Sequence, residues 1–236
     1  MPLRPYQQRT FDAVIEHIRF CIDPCLVEAA TGAGKSHIIA SVAEWIHKET
    51  GKKVLITAPT SDLVTQDHEK YPGDASIFCA SAGRKELENH VVFGSPKTIL
   101  NSIDQFCSQF CAVIVDEGDG LTPTLKKLIA RLREQNPNLR VIGFTATPFR
   151  MRTGYIYEYD MDNKAMEDTL EPYYTKLVAQ IKAPELIELG YLSPPVSVLH
   201  QVKEYDTTGL VKNNLGFTKE SLDAVYHGQE AHRSQR

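Results

Sequence analysis

Residues Leu26–Ser36 read LVEAATGAGKS, and no other stretch of the 236-residue chain limits its fold so tightly. An apolar run enters a loop of small residues. The loop then enters a stripe, Ile38, Ile39, Val42 and Ile46, with the spacing of one helix face. Ala29–Ser36 fits a phosphate-holding loop with alanine in the first glycine position. Gly32 and Gly34 let the backbone approach phosphate oxygens and turn its N–H groups inward. Thr31 and Ala33 complete the cradle. A helix starting near Lys35 points its positive end at the anion. Lys35 supplies a point charge between the β- and γ-phosphates, and Ser36 offers a hydroxyl to Mg²⁺.

A loop of this kind belongs between a strand and a helix, and the rest of the chain repeats that alternation. Short apolar segments at Leu26–Glu28, Val54–Ala58, Ile77–Cys79, Val91–Phe93, Ala112–Val115 and Val141–Phe144 read as strands buried on both faces. Helical stripes recur at Phe11, Val14, Ile15 and Ile18, and at Leu125, Leu128, Ile129 and Leu132. The expected fold class is α/β, a doubly wound, mostly parallel sheet with a short C-terminal extension. Residues 1–192 are expected to form one lobe and 193–236 an extension or linker. Within the lobe, 151–175 is a polar, tyrosine-rich excursion, read as a hairpin arm with Tyr155, Tyr157 and Tyr159 alternating along it. A helix is expected from Thr175 to Leu189, stopping at Gly190. Ser193-Pro194-Pro195 then breaks the chain. Val196–Val202 reads as a further strand, and a polar helical pattern runs from Thr218.

A phosphate loop needs a metal-holding carboxylate at the end of a neighbouring strand. The run Ala112–Val115 ends in Asp116-Glu117. Asp116 suits Mg²⁺, and Glu117 suits orienting and deprotonating the attacking water. The expected chemistry is ATP hydrolysis with Lys35, Asp116 and Glu117 as the catalytic set. A GTPase is disfavoured, because Asn163-Lys164-Ala165-Met166 lacks the aspartate of a guanine-reading motif. The formal net charge of −4 argues against a non-specific DNA coat but leaves room for placed phosphate contacts. No apolar run approaches membrane-spanning length. The five cysteines lack a C-x-x-C pair and the eight histidines lack ligand spacing, so reduced thiols in a cytoplasmic protein and no metal beyond Mg²⁺ are expected.

With these parts placed, the chain resembles the first RecA-like lobe of superfamily 2 helicases over about residues 3–195. Arg4-Pro5-Tyr6-Gln7 resembles the adenine-reading segment. Ala58-Pro59-Thr60 with Leu63 and Gln66 resembles motif Ia, Phe93-Gly94-Ser95 motif Ib, Asp116–Asp119 motif II and Thr145-Ala146-Thr147-Pro148 motif III. The stretches Asn136–Arg150 and Gly190–Pro195 are similar to the RadD-type branch of DNA-repair ATPases. The resemblance implies that Gln7 pairs with adenine and that Arg4 stacks on it. It implies that Pro59, Thr60, Gly94 and Ser95 face single-stranded or branched DNA, and that Thr145 and Thr147 relay nucleotide state to that face. It also implies a second RecA-like lobe as partner, without which a monomeric lobe binds ATP·Mg²⁺ weakly and does not unwind a duplex. A nucleotide-binding switch or scaffold without motor activity is the alternative. Where the family carries histidine in motif II, this chain carries Asp119, an acceptor within reach of Thr145 or Thr147.

Overall fold

The computed structural model describes residues 2–106, 109–167 and 169–195, and past these only the backbone of two short strands. Contacts divide the chain into two units, Met1–Ser193 and Pro194–Arg236. The first begins α1 (Pro5–Phe20), β1 (Cys25–Ala29), α2 (Lys35–Thr50), β2 (Lys53–Thr57), α3 (Ser61–Lys70), β3 (Ser76–Cys79), β4 (Arg84–Lys85), β5 (Val91–Gly94) and α4 (Pro96–Leu100). It continues β6 (Phe110–Asp116), α5 (Pro123–Gln135), β7 (Arg140–Thr145), β8 (Phe149–Arg150), β9 (Gly154–Tyr155), β10 (Tyr157–Tyr159), β11 (Tyr174–Ile181) and α6 (Ala183–Glu188). Nine strands form one sheet in the order β10-β11-β1-β7-β6-β2-β5-β3-β4. Its pairs are parallel except β3–β4.

Two apolar layers cover the sheet, and single strands feed both. Val54 and Ile56 of β2 join α1, α2 and α3 on one face, while Leu55 joins α5 on the other. In β6, Ala112 and Ile114 alternate with Val113 and Val115 in the same way. On α5 the expected stripe Leu125, Leu128, Ile129 and Leu132 is buried. Each such side chain contributes about 1.5–3 kcal/mol. Trp45 is packing material, half-buried on α2 with the Arg19 guanidinium 5.0 Å from its ring centre.

The helix expected from Thr175 to Leu189 is a strand followed by a shorter helix. Tyr174, Leu177, Val178 and Ile181 have i, i+3, i+4, i+7 spacing, which mimics a helix stripe. The cause is a bulge. β11 pairs in parallel with β1, but Leu26 faces Leu177 and Val27 faces Ala179, leaving Val178 as an extra residue. Pro184 then sits in the first turn of α6, where it costs no hydrogen bond. The hairpin β8–β9 begins before the excursion, at Phe149, and only its β9 strand lies within 151–175, while β10 adds a parallel strand to the sheet instead of extending an arm. Tyr157 is buried there.

In the second unit, β12 (Lys212–Asn213) pairs antiparallel with β13 (Gly216–Phe217). The strand expected at Val196–Val202 and the helical pattern from Thr218 lie outside the described residues. Among the described residues no helix is long and apolar enough to cross a membrane. Cys21, Cys25, Cys79 and Cys111 are free thiols, Cys25 and Cys79 buried.

Candidate nucleotide site

The strand order brings the phosphate loop and the acidic pair together. β1 ends at Ala29, one strand removed from β6, which ends at Asp116. Between β1 and α2 the loop turns through Gly32 at φ +86° and Gly34 at φ +75°, conformations that residues with a Cβ rarely adopt. Lys35 opens α2 and reaches across. Its Nζ lies 2.7 Å from Asp116 Oδ1 and 2.5 Å from Glu117 Oε1. Burial works to lower the Lys35 pKa, but the charges and hydrogen bonds of Asp116 and Glu117 outweigh it, so the amine is held above its ordinary value. Glu117 sits in the left-handed region at φ 52°, a strain of order 1–3 kcal/mol for a residue with a side chain. Its amide donates to Asp116 Oδ1 at 3.0 Å, and the two carboxylates meet on the Lys35 ammonium.

The residues expected to read adenine brace the loop from outside. Tyr6 Oη and Gln7 Nε2 both donate to the Ala33 carbonyl, at 3.1 and 3.0 Å. Gln7 Oε1 accepts from the Arg4 amide at 2.9 Å. Each end of the Gln7 amide thus has a partner in the protein, and Nε2 keeps a second hydrogen and Oε1 a second lone pair. A Cβ on Gly34 would lie 2.4 Å from Gln7 Nε2, so the brace also requires that glycine. Arg4 is exposed, with its guanidinium 4.3 Å from the Tyr191 ring centre. Tyr6 and Tyr191 fall in segments the sequence singled out, but their roles did not show there, because both act through residues far along the chain.

On the face expected to meet a polymer, the residues divide. Pro59 is half-buried, and Thr60 is exposed and caps α3 by accepting from the Leu63 amide at 3.4 Å. Gly94 and Ser95 do not belong with them. Gly94 is buried under Ile99 and Leu55, and its carbonyl accepts from Thr57. Ser95 is 2% exposed, its hydroxyl donates to Thr98 at 2.6 Å and its amide to Phe78. Burial withdraws both from solvent, and Lys97 is the exposed residue of that segment.

Behind the acids, Thr145 Oγ1 donates to Asp119 Oδ1 at 2.6 Å and accepts from the Thr147 amide at 3.0 Å. A short 3-10 turn, Gly118–Gly120, follows Glu117, and a Cβ on Gly120 would lie 2.4 Å from Pro59 Cγ. The turn after the acidic pair therefore touches both the β7 end and the motif Ia segment.

Asp67 on α3 joins the site unannounced by any motif. Burial, then the charge of Asp116, push its pKa up to about 7 from 3.8. An acid raised on folding favours the folded state while protonated, and that advantage is lost as pH rises through about 7. In metal-free protein, Asp67→Asn should therefore raise the melting temperature by a few degrees at pH 8 and by almost nothing near pH 4. Equal shifts at both pH values in thermal melts would contradict this.

The residues fit a magnesium–triphosphate complex. Lys35 and Ser36 open α2 directly after the glycine loop, and the Lys35 ammonium reaches Asp116 at the end of β6, so a cation, a hydroxyl and a carboxylate of the right chemistry lie at one end of the sheet. Among the described residues no group of three His, Cys, Asp or Glu side chains could hold a metal by itself. Asp116 with Ser36 suits an ion that phosphate oxygens also ligate.

Comparison with known proteins places the family and the fold. The family described as type III restriction enzyme, res subunit, matches residues 1–150. No curated protein matches the chain. Among solved structures, a nuclease-deletion mutant of the Type ISP restriction-modification enzyme LlaGI, with a DNA substrate mimic, superposes with a TM-score of 0.56 at 16% identity, covering 81% of this chain and 21% of that one. The UvsW helicase from bacteriophage T4 gives 0.51 at 22% identity, covering 63% and 54%. LlaBIII, a DNA-bound Type ISP enzyme, gives 0.52 at 16% identity, covering 80% and 16%. The chain thus spans only part of each of these proteins, and the likeness is one of fold.

Proposed function

Because the chain belongs to the family of type III restriction enzyme res subunits, with the helicase-like RecA fold of superfamily 2, we propose that it is the ATP-binding lobe of a DNA helicase or translocase acting in DNA repair. The observation that carries this reading is the meeting of Lys35 with Asp116 and Glu117 across two loops. The loop amides and Lys35 would bind the phosphates, and Asp116 with Ser36 would hold Mg²⁺, which would supply charge neutralisation. Lys35 holds the Glu117 carboxylate until phosphate oxygens compete for the ammonium, which frees Glu117 to orient and deprotonate water. Pro59 and Thr60 present the DNA face. A second RecA-like lobe completes both the ATP site and the DNA groove, and the lobe alone turns ATP over slowly.

Asp119 supports the coupling role by joining motif II to Thr145. Asp119→Ala in the protein carrying both lobes should leave basal ATP turnover within a few-fold and reduce its stimulation by single-stranded DNA. Undiminished stimulation in a steady-state ATPase assay would remove Asp119 from the relay. The same assay decides between a motor and a nucleotide-binding switch, the reading favoured by an aspartate standing in the histidine position. Turnover stimulated by DNA supports the motor, whereas ATP binding without turnover supports the switch.

A further inference from the structure

We propose that Tyr191 is a positioning residue of the base subsite, holding the Arg4 guanidinium over its ring and beside the phosphate loop so that Arg4 is preset to stack on the adenine ring. This rests on the nucleotide reading above and adds a residue to it. A guanidinium is planar and stacks through either face. The Arg4 Cζ lies over the Tyr191 ring, 4.3 Å from its centre, and Arg4 is an exposed residue. Arg4 Nη1 also donates to Tyr6 Oη at 3.3 Å, and the Tyr6 and Tyr191 rings lie 5.2 Å apart, tilted by 60°. The guanidinium is thus fixed in direction by two aromatic residues, one of which bonds to the phosphate loop.

The turn that carries Tyr191 is built for rigidity. Gly190 ends α6 at φ +73°, and the amides of Tyr191 and Leu192 both donate to the Leu186 carbonyl, at 2.8 and 3.1 Å. Leu192 packs so closely on the loop that a Cβ on Gly32 would lie 2.7 Å from its Cδ2. Arg9 and Glu185 pair at 2.6 Å and tie α1 to α6. A 38%-exposed tyrosine on a turn this well anchored, with a cation on its face, is a built support rather than a surface accident.

The test compares two magnesium-loaded ligands on the same chain by calorimetry, ATP and inorganic tripolyphosphate. Tyr191→Ala should weaken ATP about three- to tenfold and leave tripolyphosphate unchanged, while Tyr191→Phe, which keeps the ring, should bind both like wild type. In an Arg4→Ala background, Tyr191→Ala should add no further loss. Equal weakening of both ligands would mean that the turn merely supports the loop, and that result, or an unaltered ATP affinity, overturns the proposal. Wild-type protein that binds neither ligand would overturn the nucleotide reading itself.

Discussion

Glu117→Gln is expected to lower ATP turnover by about 10²–10⁴-fold in the protein carrying both lobes, with ATP affinity changed only a few-fold. The substitution keeps the size of the side chain and removes its basicity. In the nucleotide-free site the lost partner is Lys35, 2.5 Å away, but Lys35 retains Asp116 at 2.7 Å. The loop should therefore stay in place and the binding step survive. The left-handed backbone at Glu117 is set by the strand end and the 3-10 turn after it, so the amide should occupy the same position as the acid. Single-turnover rates beside equilibrium binding separate the two effects. A rate within threefold of wild type would place the base elsewhere.

Lys35→Ala should weaken ATP binding itself by about 10²-fold or more, in keeping with the loss of charge-assisted hydrogen bonds to phosphate. Two effects combine. The triphosphate loses its cation, and it must then approach Asp116, Glu117 and Asp67 with nothing between them. Lys35 also acts to hold the Asp67 pKa down, so its removal should push that carboxyl higher still. Lys35→Arg should recover binding only in part, because a planar fork does not replace a compact ammonium under a close backbone loop. Titration with a fluorescent ATP analogue measures all three proteins, and an alanine variant that binds like wild type would contradict the assignment.

The parts of the fold that were legible in the sequence are those where local pattern and tertiary role agree. The five-residue β1, the stripe of α2 and the alternating β6 each carry their own signal. β11 was not legible, because its bulge at Val178 places apolar residues at helix spacing. Pro184 was the available clue, since a helix running through it from Thr175 would lose a hydrogen bond. In the site, Lys35, Asp116 and Glu117 stand in motifs whose chemistry dictates residue type. Asp67 stands in none, and Tyr6 and Tyr191 lie in motif segments that gave them no role of their own, since those roles depend on distant parts of the chain meeting. Gly94 and Ser95 show the reverse: their motif suggested an open surface, and the packing of Ile99 and Thr98 buries both residues.

The most direct measurement is ATP affinity with and without Mg²⁺, in wild type and in Asp116→Asn. If the loop at Gly32–Ser36 and the acid at the end of β6 share one ion, Mg²⁺ tightens ATP binding in wild type and that gain disappears in the variant. An equal gain from Mg²⁺ in both proteins would show that the two loops do not serve a single nucleotide.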